Sequence, residues 1–319
     1  GLGPLVGTTF PGGARFNVSA MSPQTGILGD SNAGGFFGPE LKYAGYDQII
    51  VHGRAEYPVY LWICDDLVEL RDARAFWGLD VWDTTAAIHQ ALGDTGVQVA
   101  TIGQGAENGV RFAGVFANLV RAAARTGMGA VMASKNLTAV AVRGTGSFPV
   151  AEMARFQEII ERLDNIIFNH PEYEVRYRLG TTKLINALDG IGGLPTRHFQ
   201  RGRFEEAGAV SGEAIEALYK VKSKACFACT IPCSRFLLVD DPRFPDLRLE
   251  GPEFEPLAGF TARVGNGDLA LGLKCVDLAN RYGLDAITLS EVIAWAMECY
   301  ERGLISRQEA DGLDLAWGN

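Results

Sequence analysis

The chain has 319 residues, enough for about two domains of ~150 residues each. Its 47% apolar and 21% charged residues exclude wholesale disorder. A net charge of −9 argues against nucleic acid as a partner, since a phosphate backbone demands a basic face, and no apolar run reaches the ~18 residues of a membrane span.

In chain order, short apolar or alternating runs predict strands at Gln48–Gly53, Val59–Cys64, Val68–Asp72, Val97–Ile102, Val110–Phe116 and Leu137–Arg143. Helices are expected at Asp83–Leu92 and Gly127–Lys135. Beyond the Gly144–Pro149 breaker the spacing turns helical, at Val150–Phe168, Gly212–Lys222, Asp268–Tyr282 and Ser290–Arg302. The last is introduced by a capping-box pattern, Thr288-Leu-Ser-Glu291. Hairpin-like spacing outweighs strand–helix alternation, so the expected class is α+β: a β-rich domain over 1–149 followed by an all-α domain over 150–319. The opening Gly-Leu-Gly-Pro-Leu-Val-Gly shows no signal-peptide pattern and reads as the interior of a domain, and the expected compartment is the cytoplasm.

Of six cysteines, Cys226, Cys229 and Cys233 fall within eight residues. Cys-x₂-Cys-x₃-Cys folds three thiolates around one centre, as iron–sulfur ligation needs, with a fourth ligand from elsewhere. Zinc is the alternative, although none of the four histidines lies among the thiols. Cys64, Cys275 and Cys299 lack such context, and core packing is their expected role.

Glycine is in excess, 39 of 319 or about 12% against a usual ~7%. It gathers in segments that can bring backbone N–H groups close to an anion: Pro11-Gly-Gly-Ala-Arg15, Gly29-Asp-Ser-Asn-Ala-Gly-Gly35 and Arg121-Ala-Ala-Ala-Arg125-Thr-Gly-Met-Gly129. Arg121 and Arg125 share one face if that stretch is helical. Ordinary tight turns also account for such loops, and neither a Walker loop nor Gly-x-Gly-x-x-Gly occurs. Glu250-Gly-Pro-Glu253-Phe-Glu255 places three carboxylates shortly after the cysteines, suited either to acid–base work or to a helix start.

Taken together and in order, these pieces resemble the tungsten-dependent aldehyde:ferredoxin oxidoreductase family. The resemblance runs through Gly-Gly-Ala-Arg15-Phe-Asn-Val, Ser22-Pro-Gln-Thr-Gly26, Ser31-Asn32-Ala-Gly-Gly-Phe-Phe-Gly-Pro-Glu-Leu-Lys-Tyr-Ala-Gly-Tyr-Asp47, Gly105-Ala-Glu-Asn108, Arg121–Asn136, the cysteines, Glu250–Glu255 and Tyr282-Gly-Leu-Asp285. It implies tungsten or molybdenum held by two pterins, with a [4Fe–4S] cluster at Cys226, Cys229 and Cys233 and a magnesium ion. By the same resemblance, Arg15, Arg121 and Arg125 belong to the cofactor-binding loops, with Arg15 and Arg121 holding pterin phosphates. The backbone carbonyls of Asn32 and Ala122 reach the magnesium. Asn280 and Asp285 bound a pterin loop in which the family's usual first residue is Asp rather than Asn. Glu255 stands beside the metal as the catalytic carboxylate. The implied reaction is oxidation of a small aldehyde by water, with electrons passing to ferredoxin or an iron–sulfur partner subunit. Action on another substrate, such as an aromatic thioester, and a pure electron-relay role are alternatives. The family pattern allows a homodimer, and it implies an N-terminal strand region before Gly1 and a further helical domain after Asn319.

Overall fold

A computed structural model describes residues 1–319, which form two compact units. The first comprises Gly1–His170 with two later segments, Ala225–Thr230 and Asn280–Asp285. Its elements are β1 (Phe16–Met21), β2 (Leu28–Ala33), α1 (Phe37–Tyr43), β3 (Val59–Cys64), β4 (Leu67–Asp72), α2 (Val81–Leu92), β5 (Gln98–Thr101), α3 (Gln104–Glu107), β6 (Val115–Ala117), β7 (Arg121–Ala123), α4 (Met128–Ser134), β8 (Leu137–Arg143) and α5 (Met153–Phe168).

The main sheet has the order β4-β3-β8-β5-β6-β7, and only the β3–β8 pairing is parallel. Strand β3 shows why this sheet is buried on both faces. Val59 and Ile63 join one apolar cluster with Phe16, Phe37 and Val142, while Tyr60 and Trp62 join the opposite one with Ile88 of α2. This is the period-two alternation of a strand. Burying each such large side chain contributes about 1.5–3 kcal/mol relative to exposure. A separate hairpin pairs β1 with β2 in the register Phe16↔Ala33 and Asn17↔Asn32. Asp80 caps α2, accepting from the amides of Trp82 (2.7 Å) and Asp83 (2.8 Å), and left-handed Gly93 ends it.

The second unit comprises Pro171–Lys224, Ile231–Ala279 and Ala286–Asn319. Its elements are α6 (Tyr173–Leu179), α7 (Leu184–Gly190), α8 (Gly212–Leu218), β9 (Lys220–Lys224), β10 (Ser234–Leu238), β11 (Arg248–Glu250), α9 (Phe254–Phe260), α10 (Leu269–Arg281) and α11 (Ala286–Glu301). A core of Ile185, Leu194, Ile215, Leu237, Leu249, Leu257 and Leu273 is sealed from solvent. No helix is long and apolar enough to cross a membrane.

The mixed α/β character agrees with expectation, but the all-α reading of the later part does not hold: β11-β10-β9 form an antiparallel sheet there. The helix expected over Gly212–Lys222 stops at Leu218, because Lys222 and Ser223 pair with Phe236 and Arg235. Cross-strand pairing overrides a helical pattern that is only local. Gln48–Gly53 is irregular rather than a strand, with Ile50 and Val51 exposed, since no neighbouring strand offers it a ladder. The Val110–Phe116 strand shrinks to β6. Arg121–Arg125 is not helical either: Arg121–Ala123 pairs with β6, and Arg125 is left-handed at φ 74°. Helix α11 starts at Ala286, so Thr288 lies inside it and the expected capping box does not form.

Candidate cofactor site

In the first unit the paired glycines Gly34-Gly35 follow β2, and four side chains from elsewhere in the chain close on them. A Cβ on Gly34 would stand 2.8 Å from Cys226 Sγ and 3.8 Å from Arg15 Nη1. One on Gly35 would stand 2.3 Å from Asn118 Oδ1 and 3.1 Å from Arg121 Cγ. Gly35 also has φ +98°, a conformation that side chains resist. Only glycine fits at either position, and the two cradle residues have Arg15 and Cys226 on one side and Arg121 on the other.

Each wall of this cradle is held in place. Arg15 Nε donates to Asn32 Oδ1, its Nη2 reaches the Asn32 carbonyl at 3.4 Å, and Asn32 Nδ2 donates to Asn17 across the hairpin. The left-handed pair Asn118-Leu119 turns β6 into β7, which places Arg121 and Ala122 on an edge strand. Asn118 accepts from the Phe36 amide at 2.8 Å and donates to Gln98 at 2.6 Å. The cysteine segment is fastened by its backbone: Phe227 N donates to Gly35 O (3.1 Å), Gly12 N to Ala228 O (3.3 Å) and Cys229 N to Cys226 O (3.1 Å). The Phe227 ring meets Tyr43 edge-on at 6.2 Å. Arg125 is exposed.

Replacing Gly35 by alanine should destabilise the protein by about 1–3 kcal/mol, the usual toll of overpacking. Its methyl displaces Asn118 and the Phe36 bond. A denaturation midpoint equal to the parent's contradicts this.

Asn280–Asp285 is bound into the first unit by its own backbone. Gly105 N donates to Tyr282 O (2.9 Å), Gly114 N to Gly283 O (2.9 Å) and Asp285 N to Phe112 O (3.2 Å). Side chains at Gly103 or Gly105 would strike Tyr282 and Leu284 at 2.7 and 2.3 Å, so these glycines permit the contact. Arg281 locks the loop from outside, 2.8 Å from Asp80 and 4.3 Å above the Trp82 ring. Asp285 is buried and Asn280 half-buried.

In the second unit, Glu255 sits in the first turn of α9, after left-handed Gly251. Its carboxylate meets Arg263 Nη2 at 3.2 Å, and Arg263 Nε lies 2.9 Å from Glu291. Arg263 is 3% exposed, with the Phe199 ring 5.6 Å from its guanidinium carbon, so it is a rigid post for a half-exposed Glu255. Glu253 accepts from Thr181 Oγ1, which accepts from Phe254 N at 2.8 Å. Glu250 pairs with Lys224 at 2.8 Å. His198 hydrogen-bonds Glu298 and holds that carboxyl below its usual range. Cys233 belongs to this unit, whereas Cys226 and Cys229 belong to the first.

None of the six cysteines forms a disulfide. Cys299 is buried on α11, and burial pushes the Cys275 thiol up, as packing roles require. No three His, Cys, Asp or Glu side chains converge closely enough to chelate one ion. A cubane makes a different demand, since each thiolate binds its own iron. Sequence reasoning had found the arginines of the glycine loops, the glycines and the cysteines but missed Asn118, Arg281 and Arg263. Asn118 and Arg281 find their partners in Phe36 and Asp80, far away in the chain, and the burial of Arg263 is a matter of packing, so no local spacing signals them.

Comparison with known proteins agrees with this architecture. Residues 1–144 match the family model "Aldehyde ferredoxin oxidoreductase, N-terminal domain", and residues 158–319 match "Aldehyde ferredoxin oxidoreductase, domains 2 & 3". Over 312 residues the chain is 44% identical to the tungsten-containing aldehyde ferredoxin oxidoreductase of Pyrococcus abyssi, covering 97% of this chain and 51% of that protein. The protein of the same description from Thermococcus kodakarensis is 42% identical over 320 residues, covering 99% and 52%. A WOR-like subunit of an aliphatic sulfonate oxidoreductase from Pyrococcus furiosus is 30% identical, again over 99% and 52%. Among solved structures, the active-site complex BamBC of benzoyl coenzyme A reductase, with 1,5 dienoyl-CoA, superposes with a TM-score of 0.83 at 30% identity, covering 97% of this chain and 48% of that one. The chain thus spans about half the length of the curated relatives it matches. With both family models together spanning nearly all of its residues, the chain belongs to the aldehyde ferredoxin oxidoreductase family.

Proposed function

We propose that this chain binds a tungsten or molybdenum bis-pterin and oxidises an aldehyde with water to a carboxylic acid. Electrons leave through a [4Fe–4S] cluster to ferredoxin or an iron–sulfur partner subunit. The observation that carries the reading is the Gly34-Gly35 cradle with Arg15, Arg121 and Cys226 around it. A surface that tolerates no side chain, flanked by two arginines, fits a phosphorylated cofactor pressed against backbone.

Arg15 and Arg121 hold pterin phosphates. The carbonyl of Asn32, already turned toward Arg15, and that of Ala122 on the edge strand take the magnesium. Asp285 and Asn280 hydrogen-bond a pterin ring from a loop fastened to Gly105 and Gly114. Cys226, Cys229 and Cys233 supply three cluster thiolates. When bound, the metal provides a Lewis acid and a two-electron acceptor. Glu255, kept in place by Arg263, takes a proton from the attacking water. Aldehyde plus water yields acid, two protons and two electrons, and the electrons leave one at a time.

The similarity to the BamBC complex supports a second reading, action on a coenzyme A thioester, but the higher identity to the aldehyde enzymes favours the first. Metal analysis and pterin fluorescence of the anaerobically isolated protein, followed by a dye-linked assay over an aldehyde panel, test the proposal. Tungsten or molybdenum with pterin and aldehyde-dependent dye reduction are expected. Iron without pterin or either metal would sink it in favour of electron relay.

A further inference from the structure

Arg235 is the largest side chain wholly shut off from solvent. Its Nη1 donates to the carbonyls of Leu179 (2.6 Å) and Cys233 (3.0 Å), and its Nη2 to that of Pro252. Nε has no partner, and every acceptor is a main-chain carbonyl rather than a carboxylate. The fold makes room for this arrangement at Gly180, where a Cβ would come within 2.0 Å of Nη1 and 2.1 Å of the Cys233 carbonyl.

A buried cation without a paired anion is costly, and an apolar side chain of similar size would serve packing better. Carbonyl dipoles satisfy its N–H groups without neutralising its charge. Glu253 lends some opposing field but no hydrogen bond. What remains in reach is the group bound by Cys233, whose own carbonyl Arg235 grips. A four-iron cluster with four thiolates is a net anion and gains one further negative charge on reduction.

We infer that Arg235 is the buried counter-cation of the iron–sulfur cluster and raises its reduction potential by stabilising the reduced, more negative form. This rests on the proposal that Cys226, Cys229 and Cys233 ligate a cluster. Arg235 acts through charge and through its hold on Cys233, not by contact with substrate.

The test is a dithionite titration of the anaerobically isolated full protein, followed by the paramagnetic resonance of the reduced cluster. In Arg235→Leu, with iron content at the parental level, the one-electron equilibrium should move about tenfold toward the oxidised form, a midpoint about 59 mV lower. Arg235→Lys, which keeps the charge, should restore most of the shift. Should the leucine variant fail to fold, Arg235→Gln removes the same charge while keeping an N–H donor for the carbonyls. A neutral variant with an intact cluster and the parental midpoint overturns the inference. Parental protein without iron or a cluster signal overturns the cluster reading itself, a separate and distinguishable failure.

Discussion

Glu255→Gln should lower aldehyde turnover about 10²- to 10⁴-fold, the usual contribution of a positioned general base. Metal content and melting temperature should stay at parental values. Glutamine keeps the length of the side chain and an oxygen to accept from Arg263 Nη2, now 3.2 Å from the carboxylate, so the local structure of α9 survives. What it loses is the capacity to take a proton. Arg263 retains Glu291 as its second partner at 2.9 Å, which keeps the buried guanidinium paired in the variant. Turnover equal to the parent's removes Glu255 from the mechanism. Loss of metal together with activity would instead assign it a structural part.

The second large effect is expected at the cradle. Arg15→Ala combined with Arg121→Ala should weaken retention of the cofactor about 10²- to 10⁴-fold, since each hydrogen bond to a charged group contributes about 1.5–3 kcal/mol. Pterin fluorescence after gel filtration reads the loss. Neither substitution touches the apolar layer: Arg15 is exposed beside Asn32, and Arg121 lies on the edge strand β7. The fold should therefore persist, with the melting transition of the cofactor-free parent as the reference. Pterin content at the parental level in the double variant would show that the phosphates are held elsewhere.

These predictions use residues that sequence reading had singled out, yet the arrangement behind them was not all visible there. Arg121 illustrates the gap. Its spacing to Arg125 suggested a helical face, whereas it occupies a short strand whose pairing with β6 depends on the left-handed turn at Asn118-Leu119. Asn118 drew no notice in the sequence, because a single Asn among apolar residues carries no signature until its amide is seen bonding Phe36 and Gln98. The Lys220–Lys224 strand was hidden in the same way: its residues extend a helical pattern locally, and only the partner strand Ser234–Leu238 makes them a sheet. By contrast, β3 and β8 were legible, since both are nearly unbroken apolar runs, rich in β-branched or aromatic residues and long enough to declare themselves.

The amino-acid sequence by itself determined the mixed α/β class, the three clustered thiols, the arginine- and glycine-rich loops and the family to which they point. These are matters of composition and short-range spacing, which a chain displays before it folds. Tertiary structure decided what each of them touches. It set Cys226 Sγ against Gly34, bound the Asn280–Asp285 loop to Gly103 and Gly105, and buried Arg263 against Glu291 and Arg235 against the Leu179 carbonyl. Contacts between groups far apart in the chain arise from packing and pairing over the whole fold. The glycine excess therefore had a meaning in the sequence, close approach, while the surfaces that approach one another exist only in the folded molecule.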